Sequence, residues 1–188
     1  MTKEQIRKEI LNLRKNQDIS SKKSAELKVF TNIKNWEYFK KAKNIGIYFS
    51  TKYELDTTDI IKEILESKKK CYLPVISNNH NTFDFYLYNQ NTTLISNKYK
   101  ILEPEATSEN KIDINALDII FIPIVAFNEN KERLGMGGGF YDRALANLEP
   151  DNKTLLVGLA FDFQKNNSLL IEPWDIPMAH IITEKQKY

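Results

Sequence analysis

The chain of 188 residues has few of the residues that build disulfides and metal clusters. Its single cysteine, Cys71, excludes an internal disulfide and a thiolate metal cluster. Its two histidines, His80 and His180, argue against a multi-histidine zinc site. No apolar run approaches the ~20 residues that span a bilayer, and the N-terminal MTKEQIRKEI is charged from its third residue, unlike a secretory signal. These absences predict a reduced, cytoplasmic protein that does not act at a membrane.

The chain also lacks a strong excess of either charge. It has 27 basic and 25 acidic residues, a formal net charge of +2. Apart from short runs at 40–43 and 68–70 the lysines are dispersed, and such runs are typical of a solvated face, so nucleic acid is not an expected partner. Hydrophobic residues make up 41% of the chain, an ordinary globular composition. We predict one domain over residues 1–188, acting as a monomer.

Helix-like and strand-like segments alternate along the chain. Helical periodicity predicts helices at 2–16, 20–34 (opened by the serine pair at 20–21), 57–67 (capped by Asp56 or Thr57) and 140–148. Short apolar runs predict strands at 44–50, 70–76, 82–88, 116–127, 154–161 and 176–183. A βαβ unit within 44–76 indicates an α/β fold, a three-layer sandwich with a mostly parallel central sheet and helices on both faces. The polar segments SNNHNTFD and YNQNTTLISN are expected to be loops.

Glycine is scarce, and its distribution is uneven. Four of the six glycines lie within RLGMGGGFYDRAL at 133–145, between the strand predicted to end near Phe127 and the helix predicted to start near Phe140. Glycines allow positive φ angles and close approach of a ligand to the main chain, and their N–H groups beside a helix N-terminus bind anions. Arg133 and Arg143 would add positive charge. The pattern favours a phosphate-binding loop, and a flexible glycine hairpin is the plain structural alternative.

This loop does not match the commonest phosphate-binding motifs. The P-loop string G-x-x-x-x-G-K-[ST] is absent, and the dinucleotide fingerprint G-x-G-x-x-G fits poorly because position 140 is phenylalanine. Asp142 is a hard oxygen ligand suited to a magnesium ion shared with phosphate. It is equally suited to stabilise the N-terminus of the helix, so the residues alone leave both interpretations open.

The first predicted helix carries two stripes on neighbouring faces. The apolar stripe consists of Ile6, Ile10 and Leu13. The basic stripe, about 70° away from it, consists of Lys3, Arg7 and Arg14. Basic side chains beside a buried face suit the rim of a ligand pocket, but they also suit long side chains that lie along the edge of the core.

The loop RLGMGGGFYDRAL resembles the signature of the 5-formyltetrahydrofolate cyclo-ligase (methenyltetrahydrofolate synthetase) family. Further segments resemble that family in the same order along the chain: the K-x-x-x-R of Lys3 and Arg7, IYFSTKYELDTTDII, LPVI with DIIFIPIVAF, and WDIPMAHIITE. Five ordered motifs cover most of the chain. Three positions depart from frequent family residues: a tyrosine is replaced by Phe140, a lysine of some members by Gly138, and an acidic residue by Ala179.

The resemblance implies an α/β sandwich with a mostly parallel sheet and a defined reaction. Members of the family convert 5-formyltetrahydrofolate to 5,10-methenyltetrahydrofolate with ATP and magnesium. The formyl oxygen, a poor leaving group, takes the γ-phosphoryl group of ATP; N10 then attacks the formyl carbon, the ring closes and phosphate leaves. An enzyme for this reaction must place two substrates in line and neutralise phosphoryl charge.

The resemblance also assigns roles residue by residue. ATP would be bound by Lys3, Arg7, Arg133, Leu134, Gly135, Met136, Gly137, Gly138, Gly139, Phe140 and Tyr141, of which Arg133 and Tyr141 would be catalytic. The folate would be bound by Phe49, Glu54, Met136, Gly137, Gly138, Gly139 and Phe140. Magnesium would be held by Asp142 and Asp175. Trp174 and Tyr53 are candidates either for stacking on the folate or for packing.

Glu54 is the assignment that depends most on the resemblance. A carboxylate can accept a pair of N–H bonds from the aminopyrimidine side of the pterin. From its own surroundings in the sequence, Glu54 would be interpreted as a solvated loop acid.

Two other classes of function share parts of this pattern. A non-catalytic phosphate- or nucleotide-binding module would use the glycine loop and has no need of Glu54. A sugar-phosphate isomerase or a CoA-transferase-like enzyme of related architecture would need neither ATP nor the basic stripe, and fold alone does not decide between them. The joint presence of the stripe, Glu54, the loop and Asp175 favours the cyclo-ligase.

Overall fold

The computed structural model describes residues 1–77, 82–169, 172 and 175–188, and the following elements belong to these residues. The α-helices are α1 (Lys3–Lys15), α2 (Ile19–Lys34), α3 (Glu37–Lys41), α4 (Thr58–Glu66) and α5 (Phe140–Leu145). The strands are β1 (Asn44–Gly46), β2 (Lys70–Ile76), β3 (Phe83–Tyr88), β4 (Leu94–Ser96), β5 (Leu102–Pro104), β6 (Lys111–Ile112), β7 (Ile119–Pro123), β8 (Ala126–Phe127), β9 (Arg133–Leu134), β10 (Leu155–Leu159) and β11 (His180–Ile182). Short 3₁₀-helices occupy Ile114–Ala116 and Asp162–Gln164.

Within the described residues, seven strands form one sheet in the order β11-β10-β7-β1-β2-β3-β6. The first five strands of this order are parallel, whereas β3 and β6 add to one edge in antiparallel fashion. The predicted βαβ unit is formed by β1, α4 and β2, with Asn44 aligned with Lys70. The prediction of an α/β sandwich with a mostly parallel central sheet is therefore confirmed.

The two faces of the sheet are covered by different helices. Successive side chains of a strand point to opposite faces, and in β7 Ile119 and Phe121 pack with α2, α3 and α4. The alternate residues, Ile120 and Ile122, pack on the other face with Ala144 and Leu145 of α5. The sheet is thus the middle layer of three, as predicted.

The order of the strands also determines where a ligand can enter. From β1 the chain continues to β2 on one side, and it returns later as β7 on the other side. In an open α/β sheet, the carboxyl ends of the two strands at such a reversal diverge and leave a crevice for ligands. The crevice of this chain therefore lies beyond β1 and β7.

Two predicted strands are too long, and both end at this crevice. Of the strand predicted at 44–50, only Asn44–Gly46 forms strand β1. Tyr48 and Phe49, which follow it, line the crevice. The strand predicted at 116–127 stops as β7 at Pro123, because proline has no N–H to continue the ladder. The chain then leaves the sheet, and β8 pairs with β9 instead.

Smaller corrections concern the ends of the other elements. Helix α2 is capped by Asp18, whose carboxylate accepts from the Ser21 N–H at 2.8 Å, and not by the serine pair. At α4, Thr57 occupies the N-cap position, but the side chain that accepts a helix N–H is that of Asp56, from Thr58 at 2.9 Å. Helix α5 ends at Leu145, before the predicted 148, and three strands are shorter than predicted: β3 (83–88), β10 (155–159) and β11 (180–182).

A hairpin and a short helix were not predicted from the sequence. The segment YNQNTTLISN, expected to be a loop, contains β4, which pairs with β5. The buried carboxylate of Glu103 fastens this hairpin to the sheet by accepting from the Ile76 N–H at 3.0 Å and from Asn97 at 2.7 Å. The unpredicted helix is α3. Of the other expected loop, SNNHNTFD, residues 78–81 lie outside the described residues, and β3 begins at Phe83.

No helix within the described part of the chain is long and apolar enough to cross a membrane.

Candidate active site

A cavity of about 650 Å³ opens at the carboxyl ends of β1 and β7, within the size range of small-molecule sites. Its walls come from α1, the segment after β1, the β4–β5 hairpin and the glycine loop between β9 and α5. Every residue that the sequence assigned to ATP, folate or magnesium lines this cavity: Lys3, Arg7, Phe49, Glu54, the whole of residues 133–142, and Asp175. The fold thus brings together side chains that lie up to 172 residues apart.

The glycine loop is held in place by arginines. The Nε of Arg7 donates to the Gly135 carbonyl oxygen at 2.8 Å, which fixes α1 against the loop. Arg143, expected to add charge to the loop, donates through Nη2 to the Gly138 carbonyl oxygen and lies over the Phe140 ring at 5.6 Å. Arg143 therefore braces the loop from outside the cavity, since it is not among the described residues that line it.

Two glycines of the loop adopt conformations that other residues avoid. Gly137 has a φ of +95° and Gly139, which precedes α5, a φ of +65°. A Cβ atom on Gly137 would also lie 3.4 Å from the Arg7 guanidinium carbon. The loop therefore needs glycine at these positions for its own shape, independently of any ligand.

We expect Gly137→Ala to lower the free energy of unfolding by about 1–2 kcal/mol, because alanine is strained at positive φ. Gly135→Ala is the matched control, since Gly135 is not among the positive-φ residues and a Cβ there meets nothing within 4 Å. The control should change stability by no more than a few tenths of a kcal/mol. Urea denaturation of both variants measures the difference, and equal destabilisation would contradict the conformational argument.

The two carboxylates assigned to magnesium meet at one buried arginine. Arg133 is 7% exposed; its Nη2 pairs with Asp142 and its Nη1 donates to the Ile176 carbonyl oxygen at 2.5 Å. Burial lowers the pKa of Arg133, and the charges of Asp142 and Asp175 act in the opposite direction. Asp175 also pairs with Lys3 at 3.2 Å. Lys3 also lies 3.7 Å from Glu172, so the cluster contains three acids and two cations.

This cluster fits a magnesium ion that is shared with a ligand. Mg²⁺ is usually held by one or two carboxylates together with substrate phosphates and water, not by a cage of protein ligands alone. Among the described residues, no group of three or more histidine, cysteine, aspartate or glutamate residues could hold a metal ion. Asp142 and Asp175 supply the two carboxylates, so the remaining ligands would have to be phosphate oxygens and water.

Glu54 also lines the cavity, in the segment that follows β1. Its Oε2 accepts from the Thr51 N–H at 2.7 Å, and its own N–H donates to the Thr51 carbonyl oxygen at 3.0 Å. This tight turn after β1 keeps the carboxylate on the cavity wall. Phe49 lies beside it, with its ring edge-on to Tyr88 at 5.5 Å. A fixed carboxylate next to an aromatic wall suits a flat, partly polar ligand that donates N–H groups.

Tyr141 lines the cavity as well. Burial raises the pKa of its phenol, and the charge of Glu54 raises it further, while Arg133 acts in the opposite direction. The hydroxyl therefore stays protonated at neutral pH and serves as a hydrogen-bond donor, not as a base. Since both Glu54 and Arg133 affect its titration, Tyr141 is within electrostatic reach of both residues.

Other residues named from the sequence lie elsewhere. Tyr53 lines a second cleft of about 510 Å³ behind the Glu54 turn, with the Lys52 ammonium over its ring at 5.4 Å. It does not line the main cavity and is 37% exposed, so the structure supports neither stacking on a folate in that cavity nor packing in the core. Trp174 lies outside the described residues. Ala179 donates its backbone N–H to the Leu156 carbonyl oxygen at 2.8 Å.

Sequence reasoning missed part of the cavity wall. Arg14 belonged to the predicted basic stripe but received no role, and Tyr48 was interpreted only as part of a strand; both line the cavity. The β4–β5 hairpin contributes Tyr99 and Leu102. The stripe could have identified Arg14, because it lies seven residues after Arg7 and so on the same face of the helix. The hairpin lies in a polar stretch with no comparable signal.

The fold and the cavity together define an α/β protein in which an arginine-flanked glycine loop and the carboxylate of Glu54 line one site. Comparison with known proteins specifies the class. A model of the 5-formyltetrahydrofolate cyclo-ligase family matches residues 1–184. The 5-formyltetrahydrofolate cyclo-ligase of Haemophilus influenzae is 38% identical over 182 residues, 96% of each chain. That of Escherichia coli K12 is 38% identical over 143 residues, 76% of this chain and 78% of the relative.

Solved structures agree with this assignment. The NMR structure of the Aquifex aeolicus 5,10-methenyltetrahydrofolate synthetase superposes with a TM-score of 0.86 at 33% identity, covering 100% of this chain and 92% of that one. The 5,10-methenyltetrahydrofolate synthetase of Mycoplasma pneumoniae superposes with a TM-score of 0.76 at 25% identity, covering 98% and 99%. The chain belongs to the 5-formyltetrahydrofolate cyclo-ligase family, and it is an enzyme.

Proposed function

We propose that this chain converts 5-formyltetrahydrofolate to 5,10-methenyltetrahydrofolate with ATP and Mg²⁺, releasing ADP and phosphate. One observation carries the proposal: the residues assigned to the two substrates and the metal all line a single cavity of about 650 Å³. The relatives from Haemophilus influenzae and Escherichia coli carry the name of this reaction. A phosphate-binding module would have no use for the Glu54 end of the same cavity.

The loop end is suited to the triphosphate of ATP. Lys3, Arg7 and Arg133 supply positive charge, and the backbone between Arg133 and Tyr141 supplies N–H groups at a chain that ligands can approach closely. Arg133 pairs with Asp142, Lys3 pairs with Asp175, and Arg7 donates to the Gly135 carbonyl oxygen. These contacts hold the cations in position. Phosphate oxygens of ATP would replace them.

The replacement of these contacts by phosphate oxygens would also create a site for Mg²⁺. If Arg133 and Lys3 paired with phosphate oxygens, Asp142 and Asp175 would be free to hold Mg²⁺ beside the triphosphate. Bound there, the ion would neutralise charge on the phosphates as they react.

The Glu54 end is suited to the pterin. Its carboxylate is fixed by the Thr51 turn, and it can accept two N–H bonds from the aminopyrimidine edge. Phe49, together with Met136 to Phe140 of the loop, gives the flat ring system an apolar wall. The formyl group would then point toward Tyr141, between the two substrates.

The reaction requires little covalent chemistry from the protein. The formyl oxygen attacks the γ-phosphorus of ATP, and the bond from that phosphorus to the bridging oxygen breaks to release ADP. N10 then attacks the formyl carbon and loses its proton, and cleavage of the carbon–oxygen bond expels phosphate and leaves the methenyl bridge. Arg133 stabilises charge on the transferred phosphoryl group, and the protonated Tyr141 hydroxyl can donate to one of the phosphoryl oxygens.

The proposal is tested by incubating the protein with 5-formyltetrahydrofolate and MgATP and following the methenyl product by its near-ultraviolet absorbance. We expect product only when folate, ATP and the divalent cation are all present, with each omitted in turn as the control. Product formation that continues at the same rate without ATP would overturn phosphoryl activation.

A further inference from the structure

One cation of the cavity wall has no role in the proposed reaction. Arg14, in the last turn of α1, is 5% exposed. Its Nη2 donates to the Ile124 carbonyl oxygen, and its Nε is buried with no hydrogen-bond partner among the described residues. A guanidinium has five N–H donors and keeps its charge in proteins. The Nε atom is enclosed by protein, so a ligand acceptor would be met by the terminal N–H groups of Arg14, which lines the cavity.

The helix places Arg14 on the wall of the cavity. Arg7 contacts the glycine loop at Gly135, and Arg14 follows it by seven residues, two helical turns or about 10.5 Å along the axis on the same face. Arg14 therefore lines the cavity about two helical turns beyond the contact of Arg7 with Gly135. Arg14 also borders the second cleft, but its neighbours Ile124 and Glu54 line the main cavity and are not among the described residues that line the cleft.

The charges around Arg14 agree with this position. Burial lowers its pKa, and the charge of Glu54, followed by that of Tyr48, acts in the opposite direction. Arg14 and Glu54 thus line the same cavity, and their opposite charges favour one another.

The chemistry of the pterin edge explains why a carboxylate and a cation would lie together. The 2-amino group and N3–H are donors, and the neighbouring C4 carbonyl oxygen is an acceptor, so the edge presents two donors followed by one acceptor. Glu54 can satisfy the donors and has no proton for the acceptor. A neighbouring arginine supplies it.

We propose that Arg14 is a folate-binding residue, which donates guanidinium N–H groups to the C4 carbonyl oxygen of the pterin while Glu54 accepts from the adjacent N–H groups. This assignment rests on the proposed function. It makes the pair selective for 4-oxo pterins, because a 4-amino group would present a donor to a donor. It also orients the ring, since reversing the edge would place the carbonyl oxygen against the Glu54 carboxylate.

A purely structural role for Arg14 gives different expectations. If the side chain only pins the Ile124 carbonyl, its loss would weaken the fold and both substrates together. If it binds the pterin, its loss weakens the folate far more than ATP. The separation of the two ligands is therefore the informative readout.

The experiment measures the Kd of 5-formyltetrahydrofolate and, separately, of the Mg²⁺ complex of the β,γ-imido analogue of ATP by calorimetric titration. Arg14→Met keeps an apolar stem and removes every donor, so we expect folate binding to weaken about 10- to 100-fold, the loss of a charge-assisted hydrogen bond. Binding of the ATP analogue should change less than about two-fold. Lys15→Met, the adjacent exposed cation on α1, is the matched control and should leave both unchanged.

Arg14→Lys keeps the charge beside Glu54 but cannot reach both Ile124 and the pterin with one ammonium group, so a smaller loss confined to folate is expected. If Arg14→Met does not fold, Arg14→Lys tests whether Arg14 binds the folate. Wild-type folate affinity in the variants that fold, or equal weakening of both ligands, would overturn the assignment. Glu54→Gln distinguishes a failure of the Arg14 assignment from a failure of the proposed function. If Glu54→Gln loses folate binding and Arg14→Met does not, only the proposed role of Arg14 is wrong. If the wild-type protein binds no folate, the proposed function fails.

Discussion

Replacing Arg133 by methionine is expected to lower kcat by on the order of 10³-fold, the loss seen when an arginine that stabilises a transferred phosphoryl group is removed. Arg133 is buried at the cavity wall, and it is the cation on which both Asp142 and Asp175 act. Its guanidinium already contacts one acceptor on each side, Asp142 and the Ile176 carbonyl oxygen. A phosphoryl group entering between the carboxylates would therefore meet a cation that is already fixed in place.

A control must separate this loss from the general effect of breaking an ion pair. Lys165→Met removes the partner of Glu129, an ion pair of 2.7 Å outside the cavity, and should leave kcat unchanged. Arg133→Lys keeps one charge but cannot make both contacts of the planar guanidinium, so we expect an intermediate rate. Steady-state kinetics at saturating folate and ATP measure all three. Wild-type kcat in Arg133→Met with a native fold would remove Arg133 from the catalytic machinery.

Asp142→Asn and Asp175→Asn should each lower turnover by on the order of 10²-fold or more at saturating magnesium, because each removes a negative charge that would hold Mg²⁺ against the triphosphate. Asparagine keeps the shape of the side chain and an oxygen atom, so the loss reports charge more than packing. Both variants should also need more magnesium for half-maximal rate than the wild-type protein does.

Asp84→Asn is the matched control for these carboxylates. The Asp84 side chain is 45% exposed and pairs with Lys111 at 2.8 Å, whereas that of Asp142 is 43% exposed and pairs with Arg133. The two aspartates thus share exposure and a cationic partner and differ in whether they line the cavity. Magnesium titrations of the rate should be unchanged for Asp84→Asn. Full activity in both cavity variants would indicate that Asp142 only stabilises the N-terminus of α5 and that Asp175 only pairs with Lys3.

The parts of the fold that could be predicted are those coded by local pattern. The seven residues of β2, KCYLPVI, match the predicted strand at both ends, because a buried apolar run is bounded there by a lysine-rich turn and a polar loop. Helix α1 likewise begins and ends within one residue of the prediction, with Thr2 and Gln5 forming a capping box.

The errors arise where tertiary contacts override the local pattern. Ile124 and Val125 are as apolar as the strand before them, yet their carbonyl oxygens accept from the Gln164 side chain at 2.7 and 2.8 Å, and not from a neighbouring strand. The β4–β5 hairpin depends on the buried Glu103, whose partners Ile76 and Asn97 are known only once the sheet has formed. Neither contact has a periodic signal in the sequence.

The residues of the candidate site likewise differ in whether a local sequence pattern predicts them. The glycine loop and its flanking Arg133 and Asp142 are one contiguous stretch, so their pattern alone indicates anion binding. Glu54 and Asp175 joined the site only through the resemblance, since nothing local distinguishes them from solvated acids. The basic stripe placed Arg14 on the same face as Arg7, but only the folded chain shows its burial and its unmet Nε.

The central claim is that the formyl oxygen leaves as part of phosphate. The most direct measurement uses 5-formyltetrahydrofolate that carries a heavy oxygen isotope in its formyl group, with unlabelled ATP and water, and mass spectrometry of the released phosphate. Attack of the formyl oxygen on the γ-phosphorus, followed by carbon–oxygen cleavage, predicts one labelled oxygen in each phosphate per methenyl group formed. Unlabelled phosphate with the label recovered in water would contradict phosphoryl activation at this site.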